Sequence, residues 1–400
     1  MNILFVSIAW PSTGERNLYT DLIGEFIRNG NKVWVVAASS SGGTTTGTVN
    51  NEIGINVLRV GSGQIRKTSH FKKALSLLTL NRNFLSAINR ELGNVEFDLV
   101  IGHTPPITLS RLYIKLKKKY KIPFYLLLKD IWPQGSVDLK VLRKYNLPWI
   151  WLRSHEKRIY RSADIIGCMS LRGKEYILSN NKHLPEGKIE ICPNSIRPTV
   201  MFPDKNSTEI RRKYKIPENA CVFIFSGNLG IGHGLSFLVE AITYLEGYRN
   251  AFFVIGGSGT QFHFLRNSLG KYSSGNALLY EWLPSEDFLK MLMTSDVGLI
   301  LLYKYTVPQF PSRLLSYFDY SKPVLCAINN NTDLGNIVES NGCGISVDHG
   351  NLQEFVKAIR YLSENPEVRI TMGEKGRKYL LNHYTVSHSY NIIMNHFKAN

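Results

Sequence analysis

Short apolar runs alternate with segments of helical periodicity along most of the chain. The runs are rich in Val, Ile, Leu and Phe and lack the alternation of a half-exposed strand, which is typical of parallel strands covered on both faces. The runs lie at residues 2–9, 32–38, 55–60, 98–103, 123–130, 164–170 and 188–194, and then at 221–227, 251–257, 277–283, 296–302, 323–328 and 344–348. Two such series predict an α/β fold made of two Rossmann-like domains, each with a doubly wound parallel sheet.

The boundary between the two series is marked by prolines and polar residues at 194–207. A length of 400 residues also exceeds what one hydrophobic core normally organises. We therefore predict a first domain at 1–197 and a second at 198–400. Residues 351–399 show helical periodicity only, and the last of these helices is a candidate to pack back on the first domain.

The charge is distributed unevenly between the two halves. The net charge is +17; residues 1–200 hold 29 Lys and Arg against 14 Asp and Glu, whereas residues 201–400 hold 19 against 17. A basic first half favours an acidic macromolecule or an anionic membrane surface as its partner. A general preference for lysine is the alternative, but it would be expected to affect both halves.

Compartment and metal content are read from a few local features. The five cysteines are not spaced as metal pairs and lie mostly in apolar runs, which indicates buried, reduced thiols. The first eleven residues have no basic leader and an apolar run too short for a signal peptide or a membrane span. We therefore expect a cytoplasmic protein without a metal centre.

Two glycine-rich turns follow predicted strands at their carboxyl ends, where open α/β sheets bind ligands. The first turn, FSGNLGIGHGL, contains Gly227 and Gly230, and the second, GGSGTQ, contains Gly257. Glycine lets backbone N–H groups approach a phosphate, although tight turns also use glycine for steric reasons alone. Neither turn has the Gly-Lys-Ser/Thr of a Walker loop or the full spacing of a dinucleotide site.

A third element lies in the stretch VPQFPSRLLSYF. A short helix is predicted to begin there, with Ser312 as its N-cap and Arg313 in its first turn. A cation near a helix N-terminus is unfavourable unless an anion shares the site; an arginine extended into solvent is the alternative. Together with the two glycine turns, Arg313 predicts a nucleotide-diphosphate site in the second domain.

Several segments along the chain together resemble a known family. Segments of the second half resemble the nucleotide-binding half of glycosyltransferase family 4: FSGNLGIGHGL, FVIGGSGTQFHFL, SDVGLILL, VPQFPSRLLSYFDYSKPVLC, GCGISV and MGEKGRKYLLNHYT. Segments of the first half resemble its branch that builds O-antigen, capsule and colanic-acid-type polysaccharides: GHTPP, LKDIWPQ, RIYRSADIIGCMS and ICPNSI. The resemblance implies a GT-B fold with two domains facing a cleft, a nucleotide-sugar donor, and transfer with retention at the anomeric carbon.

The resemblance also assigns residues of the second domain to donor binding. It implies that Arg313 contacts the donor diphosphate and that the glycine turn corresponds to Gly227, Asn228 and Gly230. Asn228 and His233 stand where related enzymes often carry an arginine and a lysine, so the phosphate cradle is less charged than usual. Gly257 and Ser312 complete this part of the predicted site.

The sequence departs from the family pattern at the ribose. Ser316 stands where the family usually has a glutamate that binds the nucleotide ribose, and Pro308, with Gln309 beside it, stands where its partner glutamate is expected. A carboxylate contributes about 1.5–3 kcal/mol for each charged hydrogen bond, whereas serine keeps one neutral bond at best. We therefore expect Ser316 and Gln309 to give weaker donor binding than the family's glutamates.

In the first domain, three residues are predicted to serve the transfer. The resemblance places His103 near the transfer centre, where it orients the donor or shares the acceptor proton; a histidine that ends a buried strand is the alternative. Asp130 binds the acceptor or ties a loop. Gly14, in PSTGERN, follows the first strand and is expected at the cleft as a donor-binding residue. No Asp-x-Asp sequence occurs in the chain, so the leaving diphosphate is expected to be neutralised by protein groups and not by a metal.

Three basic segments of the first half, residues 65–85, 108–121 and 143–161, mix cations with apolar or aromatic residues. This composition suits an anionic membrane surface, and a solvated helix face is the alternative. No motif for nucleic-acid binding accompanies the segments, so we do not expect a nucleic-acid partner. The resemblance implies a polyprenyl-diphosphate-linked acceptor at the inner face of the cell membrane.

The expected function is therefore that of a retaining, metal-independent glycosyltransferase that extends a lipid-linked surface glycan. The resemblance suggests a UDP-sugar as donor, with no other cofactor. A nucleotide-sugar epimerase would leave the basic first domain unexplained. A non-catalytic partner of an active transferase is the remaining alternative, and Ser316 is the residue that favours it.

Overall fold

The computed structural model describes the backbone of residues 1–11, 15–39, 46–52, 54–61, 70–200, 207–271, 275–303 and 307–397. The chain forms two compact units: Met1–Arg197 with Val386–Asn400, and Pro198–Thr385. Within the described ranges, no helix is both long enough and apolar enough to cross a bilayer.

The first unit is built on a sheet that has eight strands in its described part, in the order β3-β4-β2-β1-β5-β6-β7-β8. The strands are β1 (Asn2–Ser7), β2 (Lys32–Ala38), β3 (Thr46–Glu52), β4 (Ile55–Val60), β5 (Leu99–Thr104), β6 (Phe124–Leu128), β7 (Ile165–Cys168) and β8 (Ile189–Ile191). Every neighbouring pair is parallel except β3 with β4. Each predicted apolar run of the first half forms one of these strands, so the predicted parallel sheet is confirmed.

Strand β3 is the element that the apolar pattern does not predict. Its sequence, TGTVNNE, is mostly polar, and it pairs antiparallel with β4 at the edge of the sheet. An edge strand is paired on one side only, so main-chain hydrogen bonds can hold it without an apolar run.

Helices accompany the first sheet. They are α1 (Leu18–Arg28), α2 (His70–Glu91), α3 (Ser110–Tyr120), α4 (Gln134–Asp138), α5 (Leu147–Ser162) and α6 (Leu171–Asn180). Helix α1 begins at a capping box, in which the Asn17 side chain accepts from the Thr20 backbone N–H and the Asn17 N–H donates to Thr20 Oγ1. The three basic segments of the sequence contribute to α2, α3 and α5.

The second unit is built on a parallel sheet with the order β11-β10-β9-β12-β13-β14 in its described residues. The strands are β9 (Cys221–Ser226), β10 (Ala251–Gly256), β11 (Ala277–Tyr280), β12 (Val297–Leu301), β13 (Val324–Ile328) and β14 (Gly344–Asp348). The helices are α7 (Ser207–Lys213), α8 (Leu235–Tyr244), α9 (Phe262–Lys271), α10 (Ser285–Thr294), α11 (Arg313–Asp319), α12 (Leu334–Ser340), α13 (Leu352–Glu364) and α14 (Pro366–His383). The second predicted series of strands is confirmed as well.

A final helix, α15 (Val386–Met394), returns to the first unit. Tyr390 packs edge-on against Phe26 of α1, with ring centroids 5.0 Å apart, and Ile393 is fully buried in the core of this unit. The Ser387 hydroxyl donates to the Glu25 carboxylate at 2.7 Å. The described end of the predicted second domain therefore packs in the first unit, because its apolar stripe covers α1.

The cysteines are part of the apolar interior. All five are buried, free thiols, as predicted: Cys168, Cys192, Cys221, Cys326 and Cys343. Burial raises the pKa of the Cys168 and Cys343 thiols to about 11, so both stay protonated at neutral pH.

Candidate functional site

In the second unit, the two predicted glycine turns contact each other beyond the carboxyl ends of β9 and β10. The Gly227 N–H donates to the Gly256 carbonyl at 2.9 Å, and the Leu229 N–H donates to the Ser258 carbonyl at 2.9 Å. Gly257 has φ +132°, and a Cβ added there would lie 1.8 Å from the Gly227 carbonyl oxygen. The close approach of the two backbones therefore requires glycine at position 257.

The first turn leads into α8 through Gly234. Gly234 has φ +57°, and a Cβ there would lie 2.3 Å from His349 Nε2. Helix α8 begins at Leu235, and no side chain caps its N-terminus. The N-terminus of this helix follows the first turn, and the helix dipole favours an anion there.

The guanidinium of Arg313 lies beside this turn. Its Cζ lies 4.0 Å from the centroid of the Phe225 ring, and Nη2 lies 3.1 Å from His233 Nε2. The same Nη2 would be 3.8 Å from a Cβ at Gly227. Nη1 is buried and has no hydrogen-bond partner among the described residues. Burial lowers the pKa of Arg313, so this charge lies in a desolvated place that an anion would stabilise.

The protonation of His233 follows from its partners. Nδ1 lies 3.0 Å from the Leu301 carbonyl oxygen, which can only accept, so Nδ1 carries the proton and Nε2 accepts from Arg313. Burial and the charge of Arg313 lower the pKa of His233 to about 4. His233 is therefore neutral at physiological pH and orients Arg313 without adding a second positive charge.

The other predicted donor residues differ in exposure and in the contacts they make. Asn228 is exposed, and Gly230 is half-buried with φ −92°, so its conformation does not require glycine. The Gln309 backbone carbonyl accepts from Thr332 Oγ1 at 2.7 Å. Ser316 is exposed on α11, where the family pattern expects the ribose-binding carboxylate.

The prediction that Ser312 caps α11 is wrong. Ser312 occupies the N-cap position, but its side chain makes no capping hydrogen bond. An N-cap serine normally has extended backbone angles, whereas Ser312 has helical ones, with φ −65° and ψ −19°. The exposed hydroxyl remains available to a ligand.

In the first unit, His103 is the penultimate residue of the buried strand β5. Its Nε2 lies 3.0 Å from Ser7 Oγ, and its ring stacks on Tyr19 with centroids 4.5 Å apart. The Ser7 hydroxyl donates to the Ala9 carbonyl at 2.8 Å, so His103 Nε2–H is the donor to Ser7. Burial and the nearby charge of Lys129 lower the pKa of His103 to about 4, so it too is neutral at pH 7.

Lys129 and Asp130 follow β6. Burial lowers the pKa of Lys129, and its Nζ donates to the Cys192 carbonyl at 3.3 Å. Asp130 is exposed by surface area. Desolvation nevertheless raises the pKa of its carboxyl group, and the charge of the neighbouring Lys129 opposes this rise. Gly14 lies outside the described residues.

Three residues of these environments were not predicted from the sequence: Phe225, Ser7 and Tyr19. Phe225 and Ser7 lie at or next to the carboxyl ends of β9 and β1, so the rule that ligands bind at strand ends would have indicated them. Tyr19 lies on α1, and only the fold brings its ring onto His103. Among the described residues, no group of three or more His, Cys, Asp or Glu is placed to hold a metal ion.

Two family models match consecutive parts of the chain. The model described as Glycosyltransferase Family 4 matches residues 14–200, and the model described as Glycosyl transferases group 1 matches residues 206–379. The probable glycosyltransferase WbjE of Pseudomonas aeruginosa is 24% identical over 258 residues, which cover 62% of this chain. The match spans 61% of the length of that curated relative.

Solved structures with the same architecture span nearly the entire chain. Sucrose-phosphate synthase from Thermosynechococcus elongatus superposes with a TM-score of 0.78 at 14% identity, over 99% of this chain and 98% of the other. HepE from Anabaena, in complex with UDP, superposes with a TM-score of 0.68 at 13% identity, over 99% of each chain. These likenesses show the fold. The chain is a member of glycosyltransferase family 4 with the GT-B fold of two Rossmann-like units.

Proposed function

We propose that the protein is a retaining glycosyltransferase that moves a sugar from a nucleotide-diphosphate donor to a lipid-linked glycan. The donor is a UDP-sugar, and the acceptor is a polyprenyl-diphosphate-linked glycan of surface polysaccharide synthesis. The family supports the reaction class. A relative of this fold has been solved with UDP, which supports the choice of nucleotide.

The observation that carries the proposal is the guanidinium of the half-buried Arg313, whose Nη1 is buried. One nitrogen is held by neutral His233, the other buried nitrogen has no described partner, and the glycine turn of Gly227 lies beside them. A desolvated cation with a free donor, next to backbone that can approach closely, is suited to a pyrophosphate. The charge would offset the negative charge that develops on the leaving diphosphate, without a metal.

The proposed step is a front-face substitution. The acceptor hydroxyl oxygen forms a bond to the anomeric carbon while the bond from that carbon to the donor phosphate oxygen breaks. The hydroxyl proton passes to the departing phosphate oxygen, so charge and atoms balance. Neutral His103 serves as a hydrogen-bonding group that orients a substrate, and the carboxylate of Asp130 binds the acceptor.

The proposed acceptor is anchored in a membrane by its lipid. The excess of positive charge lies in the first half of the chain, and a lipid-linked acceptor would present diphosphate and sugar at an anionic surface. We therefore propose peripheral attachment at the cytoplasmic face of the cell membrane.

The test is transfer from radiolabelled UDP-sugars to prenyl-diphosphate-linked acceptors in detergent, with EDTA present. We expect transfer with retained anomeric configuration, which NMR of the product would establish. Arg313→Gln should lower turnover at least about tenfold, whereas Arg266→Gln, an exposed arginine of α9, should not. An epimerised free donor in the same assay would instead identify a nucleotide-sugar epimerase.

A second candidate, a non-catalytic partner of another transferase, is favoured by Ser316. This exposed serine replaces the family's ribose-binding carboxylate. Nucleotide binding without transfer to any acceptor of the panel would favour this candidate over the lead. Restored transfer in Ser316→Glu would identify the serine as the cause.

A further inference from the structure

A cavity of about 240 Å³ opens among α2, α3 and α5 of the first unit. Three basic side chains line it: Arg82 of α2, and Arg111 and Lys115 of α3. Trp151 and His155 of α5 close its other side. The volume is sufficient for a phosphate group with part of its ester.

The cavity has positive charge without a counter-charge. Arg82, Arg111 and Lys115 are exposed, and none of them makes a hydrogen bond or an ion pair within the described part of the chain. The described residues that line the cavity include no Asp or Glu. His155 adds no charge at neutral pH, because burial and the charges of Arg158 and Arg111 lower its pKa.

A buried hydroxyl adds a second, independent feature. Thr108 is 4% exposed, and its Oγ1 has no hydrogen-bond partner among the described residues. Asn81 fixes the surrounding backbone, because its Nδ2 donates to the Thr108 carbonyl at 2.8 Å and its Oδ1 accepts from the Leu112 N–H at 3.0 Å. A buried hydroxyl without a partner costs free energy, which an oxygen-bearing ligand would recover.

Large apolar side chains are exposed next to this cavity. Leu147 is 82% exposed, Ile150 is 51% exposed, and Trp151, which also lines the cavity, is 41% exposed. All three lie at the beginning of α5, which Asn146 caps by accepting from the Trp149 N–H at 2.9 Å. Aromatic and aliphatic residues beside cations are typical of helices that lie in a membrane interface.

We propose that this cavity binds the phosphate headgroup of an anionic phospholipid while Leu147, Ile150 and Trp151 enter the bilayer beside it. The inference rests on the proposed function, in which the acceptor is held in a membrane. It deepens that function by naming the surface of the first unit that binds the membrane. A soluble phosphate would match the cations but would leave the apolar residues in water. The combination therefore selects a lipid in a bilayer.

The first measurement compares the unmodified chain on two kinds of vesicle by flotation. We expect recovery with vesicles that contain phosphatidylglycerol in phosphatidylcholine, and a loss of at least about tenfold on phosphatidylcholine alone. Equal recovery on both kinds of vesicle, or none on either, overturns the proposal. Inorganic phosphate at the same concentration as the phosphatidylglycerol should not displace the protein from the vesicles. Displacement would show that the site takes a free anion and would overturn the lipid proposal.

Variants then separate the headgroup site from diffuse attraction. Arg111→Gln should weaken vesicle affinity about fivefold, whereas Lys182→Gln, an exposed lysine after α6, should change it less than about twofold. Thr108→Val removes one hydroxyl and no charge and should weaken affinity about two- to tenfold. Unchanged affinity in Thr108→Val, with circular dichroism like the parent, overturns the headgroup site.

A matched pair of variants tests the exposed apolar residues at the beginning of α5. Leu147→Ser should reduce recovery on anionic vesicles several-fold, whereas Leu171→Ser, on the exposed start of α6, should not. Transfer to a detergent-solubilised acceptor is measured in parallel. Transfer without vesicle binding would remove this inference and leave the proposed function standing, and vesicle binding without transfer would do the reverse.

Discussion

At the residue scale, two histidines are held neutral in different units: His103 is buried and His233 is half-buried. His103 donates to Ser7 and stacks on Tyr19, while His233 donates to Leu301 and accepts from Arg313. Burial and a nearby cation lower the pKa of each to about 4. Motifs indicated both residues, but neither their charge nor their partners could be predicted, because His233 and Arg313 lie 80 residues apart and meet only in the fold.

The neutral state of His103 predicts how stability depends on pH. Its pKa is lowered from 6.5 to about 4, so the unfolded chain binds a proton in this range that the folded chain excludes. The free energy of unfolding should therefore fall as the pH decreases from 6.5 toward 4, by about 3 kcal/mol for this group. Urea unfolding of the first unit at a series of pH values measures the effect.

A variant isolates this contribution. His103→Gln cannot be protonated, so its unfolding free energy should depend less on pH in this range than that of the parent. His263→Gln, at an exposed position of α9, should keep the parental dependence. The same dependence in His103→Gln and the parent would show that His103 is not kept neutral by burial.

At the element scale, the period of the apolar pattern predicted most of the sheets, because buried parallel strands have a strong compositional signal. It missed β3, whose sequence is polar. The preference of serine for the N-cap position predicted a cap at Ser312 that the side chain does not make, since the backbone angles of that residue are helical. The two glycine turns were predicted individually. Their mutual contact was not, since the pairing of β9 with β10 creates it.

That contact yields a prediction for the turn at Gly257. Gly257→Ala would force a positive φ on alanine and bring its Cβ against the Gly227 carbonyl, so the two turns should separate. We expect a loss of at least about 2 kcal/mol in unfolding free energy and a loss of nucleotide affinity. Unfolding curves and nucleotide titration provide the two measurements.

The chain offers a matched control on the following helix. Gly270 lies in α9 with no atom within 4 Å of an added Cβ. Gly270→Ala should therefore keep nucleotide affinity and raise the free energy of unfolding by about 0.5–1 kcal/mol. Equal nucleotide affinity in Gly257→Ala and Gly270→Ala would show that the contact between the turns does not shape the site.

At the scale of the whole molecule, positively charged residues are distributed differently in the two halves of the chain. The basic residues are concentrated in the first half, while the half-buried Arg313 lies in the second unit. The composition predicted the first feature. It did not identify the burial of Nη1 of Arg313 or the packing of its guanidinium against Phe225. The proposed function requires that the second unit bind a donor diphosphate through this guanidinium without a metal.

Calorimetric titration with UDP, GDP and ADP in the presence of EDTA tests this requirement most directly. We expect at least one of the three nucleotides to bind, and we expect Arg313→Gln to weaken its affinity by roughly 10- to 150-fold while Arg266→Gln does not. Absence of binding at millimolar nucleotide, or equal affinity in Arg313→Gln and the parent, would contradict this requirement.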